Sequence, residues 1–427
     1  MNILILTNTF TPHVGGVARS VEAFVAEYRK RGHRVLVVAP EFSDMPEDEK
    51  DVVRIKAIQN FNASDFSVAL PIHPHLSKTI DDFNPAIVHS QHPFLLGLTA
   101  LRLARHRELP LVFTHHTLYE QYTHYVPGSS PALKRFVIEL ATCYANLCHQ
   151  VFAPSESIRS LLQKRGVTSP ITVVPTGVRV ENFSSGDGAA FRRQLAIPQD
   201  AFVVGHLGRL APGKNLEFLA KAVADFVSHH PSAHFLVVGT GPSTQTIRDI
   251  FSQSALTHRL HFVGILQQQQ LSDALHAMDL FAFASTSETQ GMVLTEGMAA
   301  GLPVVALDAP GVREVVRDRD NGRLLLDTSA ATFSAALKWV SDLSPQQRQV
   351  MQQSARATAD RFSMPHSTDT ALTCYASLTE QSQVKADTDE SRLDEVLTYI
   401  KTEWEILKSF ARAGDCAIDT HLFSEKD

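Results

Sequence analysis

Leu280-Phe-Ala-Phe-Ala284, Ser285-Thr-Ser-Glu-Thr-Gln-Gly291, Met292-Val-Leu-Thr-Glu-Gly-Met-Ala-Ala-Gly301 and Pro303-Val-Val-Ala306 follow one another almost without interruption. An apolar run, a polar loop closed by glycine, a small-residue helix and a second apolar run read as strand, loop, helix, strand. Glycine at 291 lets the backbone approach a ligand closely. The free amides of the helix start offer donors and a positive dipole end to a phosphate or to sugar hydroxyls. Glu288 falls in the loop and Glu296 more than one turn inside the helix. So placed, they do not form an acid/base pair on one bond. They suit bidentate hydrogen bonding to diols, Glu288 to a hexose and Glu296 to a ribose, with Thr289, Gln290, Gly291 and Met292 around the sugar.

The same alternation runs outward in both directions. Ile3-Leu-Ile-Leu6 is a strand, Gly15-Gly16 opens a helix with Val21, Phe24, Val25 and Tyr28 on one face, and Val35-Leu-Val-Val38 is the next strand. Ile87-Val88 and Leu111-Val-Phe113 continue the set. After Pro175-Thr-Gly-Val178 the theme restarts with Phe202-Val-Val-Gly205, Phe235-Leu-Val-Val238 and His261-Phe-Val-Gly264. Continuous apolar strands between amphipathic helices imply parallel sheets covered on both faces. The expected fold is α/β, with two doubly wound, Rossmann-like domains facing a cleft where ligands bind at the carboxyl ends of the strands. The first spans residues 1–178 with a helix crossing back at about 363–380; the second spans 179–362.

Composition narrows the function. The 427 residues suit two domains, and 44% hydrophobic with 20% charged content describes a globular protein without a membrane span. The net charge of −6 argues against a nucleic-acid binder. Cys143, Cys148, Cys374 and Cys416 lack metal-ligand spacing. The start, Met1-Asn-Ile-Leu-Ile-Leu-Thr, reads as a strand and not a leader, so a cytoplasmic place is expected.

Two further words carry chemistry. Gly208-Arg209-Leu-Ala-Pro-Gly-Lys214 puts two cations in one loop after a strand. A departing nucleoside diphosphate gains negative charge in the transition state, which such cations stabilise. Thr114-His-His-Thr-Leu-Tyr119 puts His115, His116 and Tyr119 at a strand end, and His89-Ser-Gln-His92 ends another. His89, His92 and Tyr119 are read as acceptor-side residues. Gly264 and Leu266 join the donor side. Gly239-Thr-Gly-Pro242 is a turn near the nucleotide or a purely structural one. Asp318-Arg-Asp320 lies in a charged loop, so no metal ligands are assigned and no metal cofactor is expected.

Together these words resemble the retaining glycosyltransferases of family 4 and their GT-B architecture. The resemblance covers roughly residues 1–380. It implies that Arg209 and Lys214 grip the diphosphate, that Gly15 and Gly16 face it, that His116 touches the hexose near its primary hydroxyl, and that Glu288 and Glu296 bind the sugars. It also implies that the leaving phosphate oxygen takes the acceptor proton, without a separate base. The long form His116-Thr-Leu-Tyr-Glu-Gln-Tyr-Thr-His-Tyr125 with Ser-Glu-Thr-Gln-Gly291 is similar to bacterial diacylglycerol glucosyltransferases. That implies UDP-glucose as donor, 1,2-diacylglycerol as acceptor, an alpha-glycosidic product and peripheral membrane contact. A family 4 transferase acting on a soluble or polyprenyl-linked glycan, and an epimerase or nucleotide-sugar-binding protein on the same scaffold, remain open.

Residues 381–427 lie outside the resemblance. After a polar linker, Leu393, Val396, Leu397, Ile400, Trp404, Leu407 and Phe410 or Ala411 form a stripe at helical spacing. Asp394, Glu395, Glu403 and Glu405 with Lys401 and Lys408 make the opposite face mixed. Docking on the protein itself, a homo-oligomer through this helix, and membrane contact are the alternatives.

Overall fold

The alternation of apolar residues along each strand decides which face each side chain covers. Ile3 and Ile5 enter one core layer of the first unit, while Leu4 and Leu6 enter the other. Leu280 and Ala282 likewise separate from Phe281 and Phe283 in the second. Strands buried on both faces are what parallel sheets require. The structure is a computed structural model describing residues 1–13, 15–42, 44–58, 68–69, 76–121, 130–286, 288–385 and 392–418. The chain divides into two units, Met1–Thr176 with Ser367–Asp427, and Gly177–His366.

The first unit begins with β1 (Asn2–Leu6), α1 (Gly16–Lys30), β2 (Arg34–Pro40), β3 (Val52–Ile55) and a small antiparallel pair, β4 (Ala57–Ile58) and β5 (Val68–Ala69). It continues through α2 (Leu76–Phe83), β6 (Ile87–Ser90), α3 (Leu96–His106), β7 (Leu111–Thr114), α4 (Pro131–Asn146), β8 (Gln150–Ala153), α5 (Glu156–Lys164) and β9 (Ile171–Val173). Seven parallel strands pair in the order β3-β2-β1-β6-β7-β8-β9. Ile3 lies opposite Val35 on one side and Ile87 on the other.

The second unit holds α6 (Gly188–Gln194), β10 (Phe202–Leu207), α7 (Leu216–His229), β11 (Ala233–Val238), α8 (Thr244–Gln253), β12 (Leu260–Phe262), α9 (Gln268–His276) and β13 (Leu280–Phe283). It closes with α10 (Met292–Ala299), β14 (Val304–Leu307), β15 (Gly322–Leu325), α11 (Ala330–Ser341) and α12 (Pro345–Arg361). Its parallel sheet runs β12-β11-β10-β13-β14-β15. Both sheets are therefore doubly wound, with the order reversing between β1 and β6 in one and between β10 and β13 in the other.

Two more helices, α13 (Met364–Lys385) and α14 (Arg392–Ile418), return the chain to the first unit. Ala371 and Tyr375 of α13 complete one core layer; Ile406 of α14 enters the other. Tyr375 also joins a buried polar chain. Its hydroxyl oxygen lies 3.2 Å from that of Tyr28 and 2.5 Å from His89 Nδ1, and His89 Nε2 lies 2.7 Å from Thr114 Oγ1. One direction of donation satisfies every member: Tyr28 to Tyr375, Tyr375 to Nδ1, and Nε2–H to Thr114.

The tail helix departs from the expected stripe. Its buried face is Thr402, Ile406 and Ala413, while Trp404, Leu407 and Phe410 are exposed. The side chains of Leu393, Val396, Leu397 and Ile400 lie outside the described residues. The helix is turned this way by its acids. Glu403 takes a two-point hydrogen bond from Arg102 of α3, and Glu405 lies 3.8 Å from Arg105. Among the described residues, no helix is long and apolar enough to cross a membrane.

Burial lowers the pKa values of His89 and His92 to about 3 and of His115 to about 4. The unfolded chain protonates these rings near 6.5 and so binds more protons below that value. Stability is then fully present above about pH 6.5 and falls as the pH drops toward 4, by about 1.4 kcal/mol per histidine per pH unit. Urea midpoints compared at pH 7.5 and 5.5 check this; equal midpoints would contradict the buried neutral assignment.

Candidate active site

In an open parallel sheet, ligands bind outside the carboxyl ends of the strands where the order reverses. The second unit puts its chemistry there. The loop leaving β10 carries Arg209, a short turn at Pro212–Lys214, and Asn215 in the left-handed conformation. Asn215 donates its side-chain N–H to Ala284 O (3.2 Å), which ties this loop to the end of β13. The loop leaving β13 carries Glu288, and Lys214 Nζ lies 2.5 Å from Glu288 Oε1. Glu288 is largely buried and Lys214 about two-thirds buried, so water screens the pair only partly. Arg209 is exposed and makes no ion pair among the described residues.

Gly291, at φ +72°, caps α10 in a conformation that disfavours a side chain. Thr289 and Met292 are half-buried beside it, and Gln290 is buried. Glu296 sits in the second turn of α10, only 5% exposed. The first free amides of α10, Gln290, Glu288 and Lys214 thus belong to one short stretch of sheet edge.

The glycines of Gly239-Thr-Gly-Pro242 have a backbone reason. A Cβ on Gly239 would meet Gly208 O at 1.9 Å, and one on Gly241 would meet Leu210 O at 2.3 Å. Leu210 N donates to Thr240 O and Ser243 N to Leu210 O, both at 2.9 Å. This turn therefore buttresses the Arg209 loop. Gly239 N in turn donates to Gly264 O (2.7 Å), placing Gly264 and the half-buried Leu266 on the same edge after β12.

Two polar residues at this edge escaped the sequence reading. His206 Nδ1 donates to Ala282 O (3.1 Å), and its buried Nε2 has no partner among the described residues; Ser285 Oγ is likewise buried and unpartnered. Burial lowers the His206 pKa to about 4, leaving Nε2 an acceptor at neutral pH. The available signal was a histidine inside the otherwise apolar Phe202–Leu207 strand.

The first unit gathers its candidates at the edge of β6 and β7. His116 Nε2–H donates to Gln91 Oε1 (2.7 Å), and burial with three neighbouring histidines holds its pKa well below the usual value. His92 Nδ1 accepts from Asn8 N–H (3.1 Å). Tyr119 stacks edge-on with Phe94 and His115, its hydroxyl buried without a partner among the described residues. His89 is different: both ring nitrogens serve the Tyr375–Thr114 chain, so it cannot meet an acceptor without breaking that chain. Gly15 is the cap of α1, and Gly16 has open space where a Cβ would stand. Tyr122 to Tyr125 and Ser287 lie outside the described residues.

Residues 14–182 match Glycosyltransferase Family 4, and residues 187–358 match Glycosyl transferases group 1. The chain belongs to glycosyltransferase family 4. It is a retaining hexosyltransferase that uses a nucleotide sugar, on a GT-B fold. The alpha-monoglucosyldiacylglycerol synthase of Streptococcus pneumoniae is 28% identical over 330 residues, 76% of this chain and 75% of the relative. A GDP-mannose-dependent alpha-mannosyltransferase of Corynebacterium glutamicum is 27% identical over 353 residues, 80% and 81% of the two chains. Anabaena HepE, solved with UDP-glucose, shares the fold with a TM-score of 0.69 at 23% identity, covering 88% of this chain and 100% of that one.

Replacing Arg209 or Lys214 by alanine should lower turnover about a hundredfold to a thousandfold, about 2.7–4 kcal/mol by analogy with loss of one oxyanion donor. Near-normal turnover in folded variants would remove both from the diphosphate. Glu296→Ala should instead weaken donor affinity, by about 1.5–3 kcal/mol for a lost charged hydrogen bond. A Lys214→Ala/Glu288→Gln double-mutant cycle should be non-additive by about 0.5–3 kcal/mol, and strict additivity would mean the ion pair plays no part.

Proposed function

We propose that this enzyme moves glucose from UDP-glucose to 1,2-diacylglycerol and forms an alpha-glycosidic bond. The observation that carries the transfer chemistry is the Lys214–Glu288 pair at the reversal of the second sheet, beside Arg209. The bond from the anomeric carbon to phosphate breaks, and that carbon bonds to the acceptor oxygen. The acceptor proton passes to the leaving phosphate oxygen. Arg209 offers its planar fork and Lys214 a point charge to the oxygens that gain charge. Glu288 holds Lys214 in place and accepts hydrogen bonds from the hexose; Glu296 binds the ribose. These cations and the α10 amides supply the charge that a divalent metal would otherwise bring, so the reading includes metal-independent catalysis.

The lipid acceptor is supported by the pneumococcal relative, whose name states its product. Uridine is the commonest base among the enzymes the chain resembles. The corynebacterial relative favours a second reading, mannose from GDP-mannose. Incubation with UDP-glucose or GDP-mannose and diacylglycerol vesicles, with and without EDTA, separates them. Glucolipid formed only from UDP-glucose and unaffected by EDTA is the expected result. Mannolipid would establish the second reading. Transfer only to a soluble or polyprenyl-linked glycan would overturn the lipid acceptor, and interconversion of the free donor without transfer would overturn both.

A further inference from the structure

The tail helix sorts its charges. Toward the protein, Glu403 pairs with Arg102 and Glu405 with Arg105, both arginines of α3. Arg135 of α4 donates to the Cys416 and Ala417 carbonyls, and Arg412 pairs with Glu139 at 2.6 Å. Arg102, Arg105 and Arg135 are thus occupied by α14 itself. Away from the protein, Trp404 is 58% exposed and Leu407 60%, with Ala411 beside them. At about 100° per residue these three fall within about 60° of the helix circumference. Lys401 and Lys408 border the stripe, both exposed, with Lys408 Nζ 5.4 Å from the Trp404 ring centroid. Phe410 closes its other edge and touches Phe136 of α4, on which Lys134 is also exposed. Among the described side chains from Lys401 to Ala417, Asp415 is the one exposed acid.

We propose that this outward face of α14 docks on a bilayer bearing anionic headgroups. Trp404 and Leu407 enter the interfacial region, and Lys401 and Lys408 lie along the headgroups with their stems on the apolar stripe. The helix sequence disguises this, because Glu403 and Glu405 turn toward Arg102 and Arg105 and leave Lys401 and Lys408, with the single acid Asp415, among the described exposed charges beside the stripe. An anionic surface complements Lys401, Lys408 and the neighbouring exposed Lys134 together, while Trp404 suits the interfacial region. The proposal extends the lipid-acceptor reading but stands on a separate observation.

The test is sedimentation of the full chain with phosphatidylcholine vesicles, with and without phosphatidylglycerol, while Trp404 emission is followed in a Trp339→Phe background. Binding that needs the anionic lipid, with a blue-shifted and lipid-quenchable Trp404, is expected. Lys401→Gln/Lys408→Gln should weaken partitioning roughly thirtyfold, from about a factor of five per cation. Trp404→Ala/Leu407→Ala should weaken it on both vesicle types. All variants should retain hydrolysis of the nucleotide sugar. Vesicle binding indifferent to both pairs of substitutions, or a Trp404-dependent dimer that ignores vesicles, would overturn the proposal even if glucolipid is formed. Binding that follows α14 without transfer to diacylglycerol would sustain it and reject the acceptor.

Discussion

The reversal of strand order between β10 and β13 is the constraint from which the candidate site of the second unit follows. Loops leaving the two strands turn to opposite faces of the sheet, and something must hold their ends together at the edge. Two contacts do so. Asn215 reaches Ala284 O, and Lys214 reaches Glu288. The same lysine and carboxylate are the groups that the proposed mechanism assigns to phosphate and sugar. Their mutual charge keeps both side chains ordered at a site where two long, flexible chains would otherwise lose considerable entropy on binding. Behind them, the Gly239 turn lies backbone on backbone against the Arg209 loop. Main chain packs directly on main chain here, and the Thr244 hydroxyl holds the turn through Gly241 O.

The first unit solves a different problem. Its sheet is complete only when residues from the far end of the chain return to cover it. Tyr375 brings a ring against Phe152 and a hydroxyl to His89, and Ile406 fills the opposite layer. A buried hydrogen-bonded chain is strict about partners, since an unmet member is costly. That strictness gives α13 one register on the sheet. It also explains why His89, which reads from the sequence as a residue at a strand end, is a strut.

What the sequence made legible was whatever depends on short spacing. The central strands of both sheets, the loop of Arg209 and Lys214, the glycine before α10 and the place of Glu296 inside that helix follow from apolar runs and the turns between them, whereas β3, β8, β9 and β15 were not read from the sequence. Contacts of long sequence separation were not legible. The Tyr375–His89 contact spans 286 residues, and nothing local to either marks it. The Gly239-Thr-Gly-Pro242 turn is ambiguous as a word, and becomes structural once Gly208 O is seen to fill the space of a Cβ. The tail fails for a related reason. Helical periodicity counts apolar residues, yet two arginines on α3 fix its rotation and turn Trp404 and Leu407 outward.

The two units differ in the kind of polar group they place at their strand ends. The second carries the Lys214–Glu288 ion pair and the exposed Arg209, the groups that the proposed mechanism assigns to phosphate and sugar. The first presents imidazoles that burial keeps neutral, with His116 directed by Gln91 and His92 by the Asn8 amide. A neutral imidazole offers one donor and one acceptor, which matches a hydroxyl and not a phosphate. A protonated ring would add an anion-attracting charge to the first unit; burial removes that charge. The low pKa values that make the first unit sensitive to acid are therefore also what leaves its strand-end imidazoles uncharged at neutral pH.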